Sequence, residues 1–163
     1  MLDAKLKSSS TVPVDLQHDL TATMTIRHEK AIPPAPSPVE AAALASTQGF
    51  DGAKAAFLVS CGTHEIASCI DVDQFNTWGY NLLGQQRSKD ALVVFELNAW
   101  AHPTSANLQD SLSDGFSAVG DKEHAREAVE RAIDLVPSDP FFDSSMARSA
   151  FVTEEKSKHQ QCK

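Results

Sequence analysis

The chain resembles itself at an offset of 34 residues, and this feature constrains the fold more than any other. Residues 72–105 and 106–139 align without a gap, and in this alignment large residues match large residues and small residues match small residues. The paired residues are Trp78 with Leu112, Gly79 with Ser113, Leu82 with Phe116, Ala91 with Ala125, Phe95 with Val129, and Pro103 with Pro137. A fixed period of this length indicates two copies of one structural unit that stack to bury a shared core.

Each copy is predicted to be a pair of helices. In the first copy, Gly79 and Ala91 are expected to let the first and second helices approach closely, because both residues are small. Pro103 ends that second helix, because proline has no amide hydrogen to continue the helical hydrogen bonds. The equivalent residues of the second copy are Ser113, Ala125 and Pro137.

These positions resemble the tetratricopeptide repeat, whose pattern is a large residue, a large and a small residue together, an aromatic, Ala-x-x-x-Phe, and finally Pro. The first copy carries Phe75, Trp78-Gly79, Leu82, Ala91 to Phe95 and Pro103, and the second carries Leu112-Ser113, Phe116, Gly120, Ala125 to Val129, Ala132 and Pro137. The departures from the pattern are Gln86, Asn98 and Gln109. The resemblance implies an all-α fold of tandem antiparallel helix hairpins that form a short right-handed solenoid. The alternative is another pair of antiparallel helical hairpins, in which Ala and Leu at helical spacing are ordinary.

The segment before the repeats divides into two parts. Residues 1–36 contain no aromatic residue and end in a proline-rich run, so they are predicted to be a disordered, flexible tail or linker. The alternative for residues 20–27 is a strand, because apolar and polar side chains alternate there. Residues 37–70 are predicted to form two lead-in helices, the first capped by Ser37 and stopped by Gly49.

The segment after the repeats, residues 140–163, is predicted to be a C-terminal capping helix and tail. Asp139 would cap this helix and Pro140 would occupy its first turn. Its predicted contacts with the repeats are Phe142, Met146 and Ala150, and it would fray near Lys156.

Charge and hydropathy exclude several classes of partner. The formal net charge is -8 at pH 7, whereas nucleic-acid binding requires clustered Lys and Arg, so no nucleic acid is expected. No apolar run reaches the length of a membrane span and the N-terminus has no apolar secretory core, so no membrane partner and a cytoplasmic location are expected. The three cysteines are expected to be reduced thiols.

The resemblance also implies a binding surface. In tetratricopeptide arrays the first helices of successive repeats line the concave face, and the second, fifth and ninth positions of each repeat commonly contact the ligand. The corresponding residues are Asp73, Asn76, Tyr80, Asn107, Asp110 and Asp114. This acidic and amide-bearing face predicts a basic or amide-rich protein or peptide partner. The alternatives are that the face is solvated or is filled by the N-terminal tail of the same chain.

The run from Asn76 to Arg87, with those from Asp90 to Asn98 and Pro103 to Leu112, resembles the repeat tail that follows penicillin-binding-protein-like serine-hydrolase domains in bacterial proteins. No serine is followed three residues later by Lys and no Gly-x-Ser-x-Gly occurs, so the chain has neither motif for a nucleophilic serine. The resemblance therefore does not imply hydrolase activity for this chain. The leading hypothesis is a non-catalytic protein-interaction adaptor or scaffold without a cofactor. The alternative is a regulatory or stabilising accessory domain of a separate hydrolase.

The residues Cys61, His64 and Cys69 raise two further possibilities. A zinc site would need about four ligands at set spacing, and no second pair follows them. A nucleophilic Cys61 assisted by His64 would need an orienting third residue, which the sequence does not indicate. The better interpretation is that these cysteines pack between helices.

Overall fold

The computed structural model describes residues 33–161, and every regular element in that part of the chain is helical. The elements are α1 (Pro38–Cys61), a short 3-10 helix (Ile66–Ser68), α2 (Val72–Gly84), α3 (Ser88–Ala101), α4 (Ala106–Val119), α5 (Lys122–Leu135) and α6 (Ser145–Gln161). The predicted all-α class is confirmed for these residues. The possible strand at 20–27, and the predicted tail up to residue 32, lie outside them.

Local capping signals set the helix starts in the first half. Ser37 and Glu40 form a capping box, in which Oγ of Ser37 accepts a hydrogen bond from the Glu40 amide at 3.3 Å. The carboxylate of Asp71 accepts one from the amide of Gln74 at 2.8 Å and so starts α2. The predicted stop at Gly49 is a bend inside α1, where φ is 69° and ψ is -170°, a conformation that favours glycine.

Consecutive helices after α1 pack against one another, and α1 itself packs mainly on α3. Short turns join α2 to α3 and α4 to α5, so the two helices of each pair must run antiparallel. The turns occur at equivalent positions, with φ of 62° at Gln86 and 84° at Gly120. Gln86 therefore adopts the turn conformation of the second copy without a glycine, at a cost of about 1 kcal/mol.

The small residues of the repeat pattern lie in the core. Ala91 and Ala125 are both fully buried, and Gly79 and Ser113 are buried on the preceding helices. Phe95 of α3 is buried with them and lies against Gly79. The buried apolar residues of α1, α2 and α3 form one cluster, which includes Ala91 and Phe95.

Substituting leucine for either buried alanine tests this packing. Ala91→Leu or Ala125→Leu is expected to lower the free energy of unfolding by about 1–3 kcal/mol, because the added carbons overpack a close helix contact. Ala118→Leu, at an exposed position of α4, is the control and should change it by less than about 0.5 kcal/mol. Urea denaturation followed by tryptophan fluorescence measures all three. Equal stabilities would show that neither alanine lies at a close contact.

The C-terminal segment differs from its prediction. Helix α6 begins at Ser145 rather than Pro140 and continues to Gln161 rather than fraying near Lys156. Phe142 is buried as predicted, whereas Met146 and Ala150 are exposed. The residues that pack this segment against the other helices are Phe142, Ala147, Phe151 and Val152, which form one apolar cluster with Ala106, Leu135 and Val136. The predicted face was wrong because it was counted from a helix start at Pro140.

Asp139 has a different partner from the one predicted. Its carboxylate is buried and accepts hydrogen bonds from the amide of Ala106 at 2.6 Å and from that of Phe141 at 2.9 Å. Ser105, the residue before α4, makes no side-chain cap of its own. Asp139 therefore caps the start of α4 across the second hairpin rather than the start of α6.

The cysteines also differ from expectation. The chain turns back after α1 through the short 3-10 helix, which brings the Cα atoms of Cys61 and Cys69 to 6.0 Å, and the two residues form a disulfide. The expectation of reduced thiols is therefore wrong for this pair. In this state neither sulfur is a free thiolate, so neither can act as the zinc ligand or the nucleophile considered above.

None of the helices described between residues 33 and 161 is both long and apolar enough to cross a membrane.

Candidate functional site

Two carboxylates on α4 form the centre of the candidate site. Asp110 and Asp114 are four residues apart, so their side chains project from the same side of the helix. Both side chains are partly buried, with 17% and 33% of their surface exposed. We call these two residues the carboxylate pair.

Tyr80 of α2 holds one member of the carboxylate pair in place. Its hydroxyl donates to Oδ2 of Asp114 at 3.0 Å and lies 3.2 Å from Oγ of Ser111. Burial, together with the charges of Asp114 and Asp110, raises the pKa of Tyr80 to about 12, although Ser111 opposes this shift. The hydroxyl therefore remains protonated, and able to donate, at neutral pH.

The tyrosine ring connects the site to the core. Its centroid lies 5.1 Å from that of Phe95, with the two ring planes at 65° in an edge-to-face contact. Because Phe95 is buried, the ring of Tyr80 has a fixed support while its hydroxyl reaches the surface. The position of the hydroxyl is thus set by core packing rather than by a loop.

An ammonium group occupies the carboxylate pair. Lys158 of α6 makes an ion pair with Asp110, and its Nζ lies 3.2 Å from Oδ1 of Asp114 and 3.6 Å from Oε1 of Glu155. Burial lowers the pKa of the Lys158 ammonium, but the hydrogen bond and charge of Asp110, with the other two carboxyl groups, outweigh it and raise the pKa overall. Lys158 is therefore charged at neutral pH.

Glu155 is the unusual member of this group because its side chain is fully buried. Burial, and then the charge of Asp110, raises the pKa of Glu155 to about 8 despite the opposing charge of Lys158. Neither of its oxygens accepts a hydrogen bond from a described residue. A proton on Glu155 is compatible with this environment, because burial disfavours the charged carboxylate and not the neutral acid.

The structure brings together three of the six residues predicted for the concave face, namely Tyr80, Asp110 and Asp114. Asn107 takes part only through its backbone oxygen, which accepts a hydrogen bond from Ser111 at 3.1 Å. Asp73 is exposed and lines a separate cavity of about 490 Å³ beside Trp78 and the start of α1. Asn76 is half-buried, and its side-chain oxygen has no partner among the described residues.

Sequence reasoning missed Glu155 and Lys158. The last helix was predicted to fray near Lys156, so neither residue was expected to contact the rest of the fold. A signal for them was nevertheless present, because Phe151, Glu155 and Lys158 are spaced so as to share one face of a helix. That face is the one that packs on the rest of the fold.

The described residues contain no group of three or more His, Cys, Asp or Glu side chains arranged to hold a metal ion. The chemistry that the site displays is the binding of an ammonium group by two carboxylates, one of which is oriented by a tyrosine hydroxyl. Carboxylates held in this way are charge-assisted acceptors, which are roughly twice as strong as neutral ones.

Comparison with known proteins supplies no relative from which a role could be transferred. No protein-family model matches the chain, and no curated protein matches it either. The function is therefore inferred from the repeat pattern and the geometry of the site.

Proposed function

We propose that the chain is a non-catalytic protein-interaction module of the tetratricopeptide type, and that the carboxylate pair binds a basic segment of a partner protein. The 34-residue self-similarity supports the repeat assignment, together with two helix pairs that turn at the equivalent positions Gln86 and Gly120. A short solenoid of two such hairpins, with its concave face on α2 and α4, would present the carboxylate pair to a ligand.

One observation carries the binding proposal: a single lysine ammonium contacts both Asp110 and Asp114. The two carboxylates are close enough to share one cation, and the hydroxyl of Tyr80 fixes Asp114 before any ligand arrives. Such preorganisation reduces the cost of ordering side chains on binding. The preferred ligand group is therefore a primary ammonium, as presented by lysine.

The charge of the whole chain favours the same class of partner. The net charge is -8, and the charged residues within positions 1–36 cancel, so the excess negative charge belongs to the remainder of the chain. A negative surface accelerates the approach of a basic segment and disfavours an acidic one. This contribution weakens as salt increases, because the screening length is about 10 Å at 0.1 M ionic strength and about 3 Å at 1 M.

Charge reversal of the carboxylate pair tests the proposal. The probe is a labelled, lysine-bearing amphipathic helical peptide, compared with the same peptide carrying glutamine in place of lysine. The Asp110→Lys, Asp114→Lys double variant is expected to bind the lysine peptide at least about tenfold more weakly than the wild type, because attraction becomes repulsion. Fluorescence anisotropy measures the affinity. Tyr80→Phe should cause a smaller loss, since it removes only the hydroxyl that orients Asp114.

The control is the Asp134→Lys, Asp143→Lys double variant, which makes the same change in net charge at two exposed positions. Charge reversal of the carboxylate pair also repels Lys158, and release of Lys158 would by itself increase access to the site. Weaker peptide binding by the Asp110→Lys, Asp114→Lys double variant therefore cannot be caused by the release of Lys158. If both double variants bind the peptide equally, the carboxylate pair is not the binding site.

A further inference from the structure

The two halves of α6 are held to the rest of the fold in different ways. The first half is anchored by apolar contacts, among them Phe151 and Val152 against Ala106 and Val136. The rings of Phe142 and Phe151 pack with their centroids 4.7 Å apart. Apolar burial of this kind is not screened by salt, in contrast to an ion pair.

Among the described side chains of residues 153–161, at the end of α6, none makes such an apolar contact. The described contacts of this end with the other helices are made by Glu155 and Lys158, and the neighbouring side chains of Thr153, Glu154 and Lys156 are exposed. The end of the helix is therefore held mainly by one lysine in the carboxylate pair. Elements with few buried apolar contacts open locally at a lower free energy than the core.

Glu155 weakens the docking of residues 153–161 on the carboxylate pair. A buried carboxyl group that accepts no hydrogen bond is unfavourable, and an apolar residue of similar size is often better tolerated at such a position. A helix that permanently capped the array would be expected to place an apolar side chain there. The end of α6 thus combines a specific lysine contact with an unfavourable neighbour.

We propose that residues 153–161 of α6 are a displaceable intramolecular ligand of the carboxylate pair, and that the partner is a lysine-bearing helix that takes their place. This inference rests on the proposed function and specifies its partner. The partner helix presents a lysine where Lys158 lies and a neutral residue where Glu155 lies, three positions earlier. Such a helix keeps the ion pairs with Asp110 and Asp114 but does not bury a carboxyl group.

Displacement also depends on pH in a defined direction. Glu155 has its pKa raised to about 8 when α6 is docked, against an ordinary value of 4.5. The docked state therefore holds a proton that the released state loses, so docking weakens as pH rises from 4.5 to 8. The groups around Glu155 are Asp110 and Asp114 of α4 and Lys158 of α6, with Tyr80 of α2 and, at the start of α5, Lys122 beside the adjoining cavity.

The test uses the full chain and a labelled peptide that copies residues 145–161 with Glu155 replaced by Gln. In the chain, Lys158→Gln removes the ion pairs that hold the end of α6, so it should bind the peptide about tenfold more tightly than the wild type. In the chain, Glu155→Gln should bind it several-fold more weakly at pH 8.5, since the neutral amide docks without having to take up a proton. This second difference should be smaller at pH 6 and should disappear only below the ordinary glutamate pKa of 4.5. A peptide that also lacks Lys158 should bind none of the chains.

Each outcome decides one of the two proposals. If the peptide binds wild type, Lys158→Gln and Glu155→Gln chains equally, α6 does not compete with the peptide for the site. That result contradicts the proposal that α6 is displaced, but it does not contradict the proposed function. If the peptide binds none of them, the carboxylate pair does not bind a lysine helix, and the proposed function fails as well. If Lys158→Gln fails to fold, the Glu155→Gln chain at the two pH values still separates the two proposals, because it keeps the ion pairs of Lys158 with Asp110 and Asp114.

Discussion

Phe95→Ala is expected to lower the free energy of unfolding by about 3–5 kcal/mol, the usual cost of removing a buried aromatic side chain. Phe95 has only 1% of its surface exposed and lies between α2 and α4. An added Cβ at Gly79 would lie 2.6 Å from Cζ of its ring, and one at Gly115 would lie 3.0 Å from Cδ2. The ring therefore fills the space that these two glycines leave open.

The cavity left by Phe95→Ala cannot close easily, because the glycines on both sides have no side chains to move into it. Chemical denaturation followed by the fluorescence of Trp78 and Trp100 measures the loss. Phe141→Ala is the matched control, since Phe141 has 72% of its surface exposed and should change stability by less than about 0.5 kcal/mol. Similar small losses for both variants would mean that Phe95 is not the central packing residue.

Asp139→Ala is expected to lower the free energy of unfolding by about 2–3 kcal/mol, the range for losing a capping carboxylate and its charge-assisted hydrogen bonds. The amide of Ala106, a fully buried residue, would lose its acceptor. The amide of Phe141 would lose its acceptor as well, so the connection between α5 and α6 would be less well fixed.

Two further variants separate the cap from a general effect of charge. Asp139→Asn retains one side-chain oxygen as acceptor and should lose less stability than Asp139→Ala. Asp143→Ala removes an exposed carboxylate nearby and should be nearly neutral. Thermal unfolding by circular dichroism ranks the three. A ranking in which Asp139→Ala and Asp143→Ala are equal would show that the bonds to Ala106 and Phe141 contribute nothing to stability.

The sequence predicted the features that depend on nearby residues. The cap at Ser37 and the interruption of the helix at Gly49, predicted as a stop and found as a bend, each involve residues within one helical turn. The 34-residue period likewise placed the starts of the two helix pairs at residues 72 and 106. The spacing of apolar residues within each copy indicated which side of each helix is buried. The shared side of Asp110 and Asp114 follows from their spacing of four residues.

Residues far apart in sequence decide the rest. Asp139 caps Ala106, which is 33 positions earlier, and Asn98 donates to the backbone oxygen of Val72, which is 26 positions earlier. Both were interpreted from their own surroundings, Asp139 as the cap of the next helix and Asn98 as a departure from the repeat pattern. The partner of each is set by which helix ends the packing brings together, and local periodicity does not contain that information.

The candidate site divides in the same way. The sequence by itself determined the helices of the two copies, their buried sides and the carboxylate pair on α4, because backbone hydrogen bonding and side-chain periodicity act over a few residues. Only the tertiary structure decided that Lys158, 48 positions from Asp110, fills that pair and that Glu155 is buried beside it. The physical reason is that the docking of α6 depends on the summed packing of Phe142, Phe151 and Val152 against other helices, which no local pattern specifies.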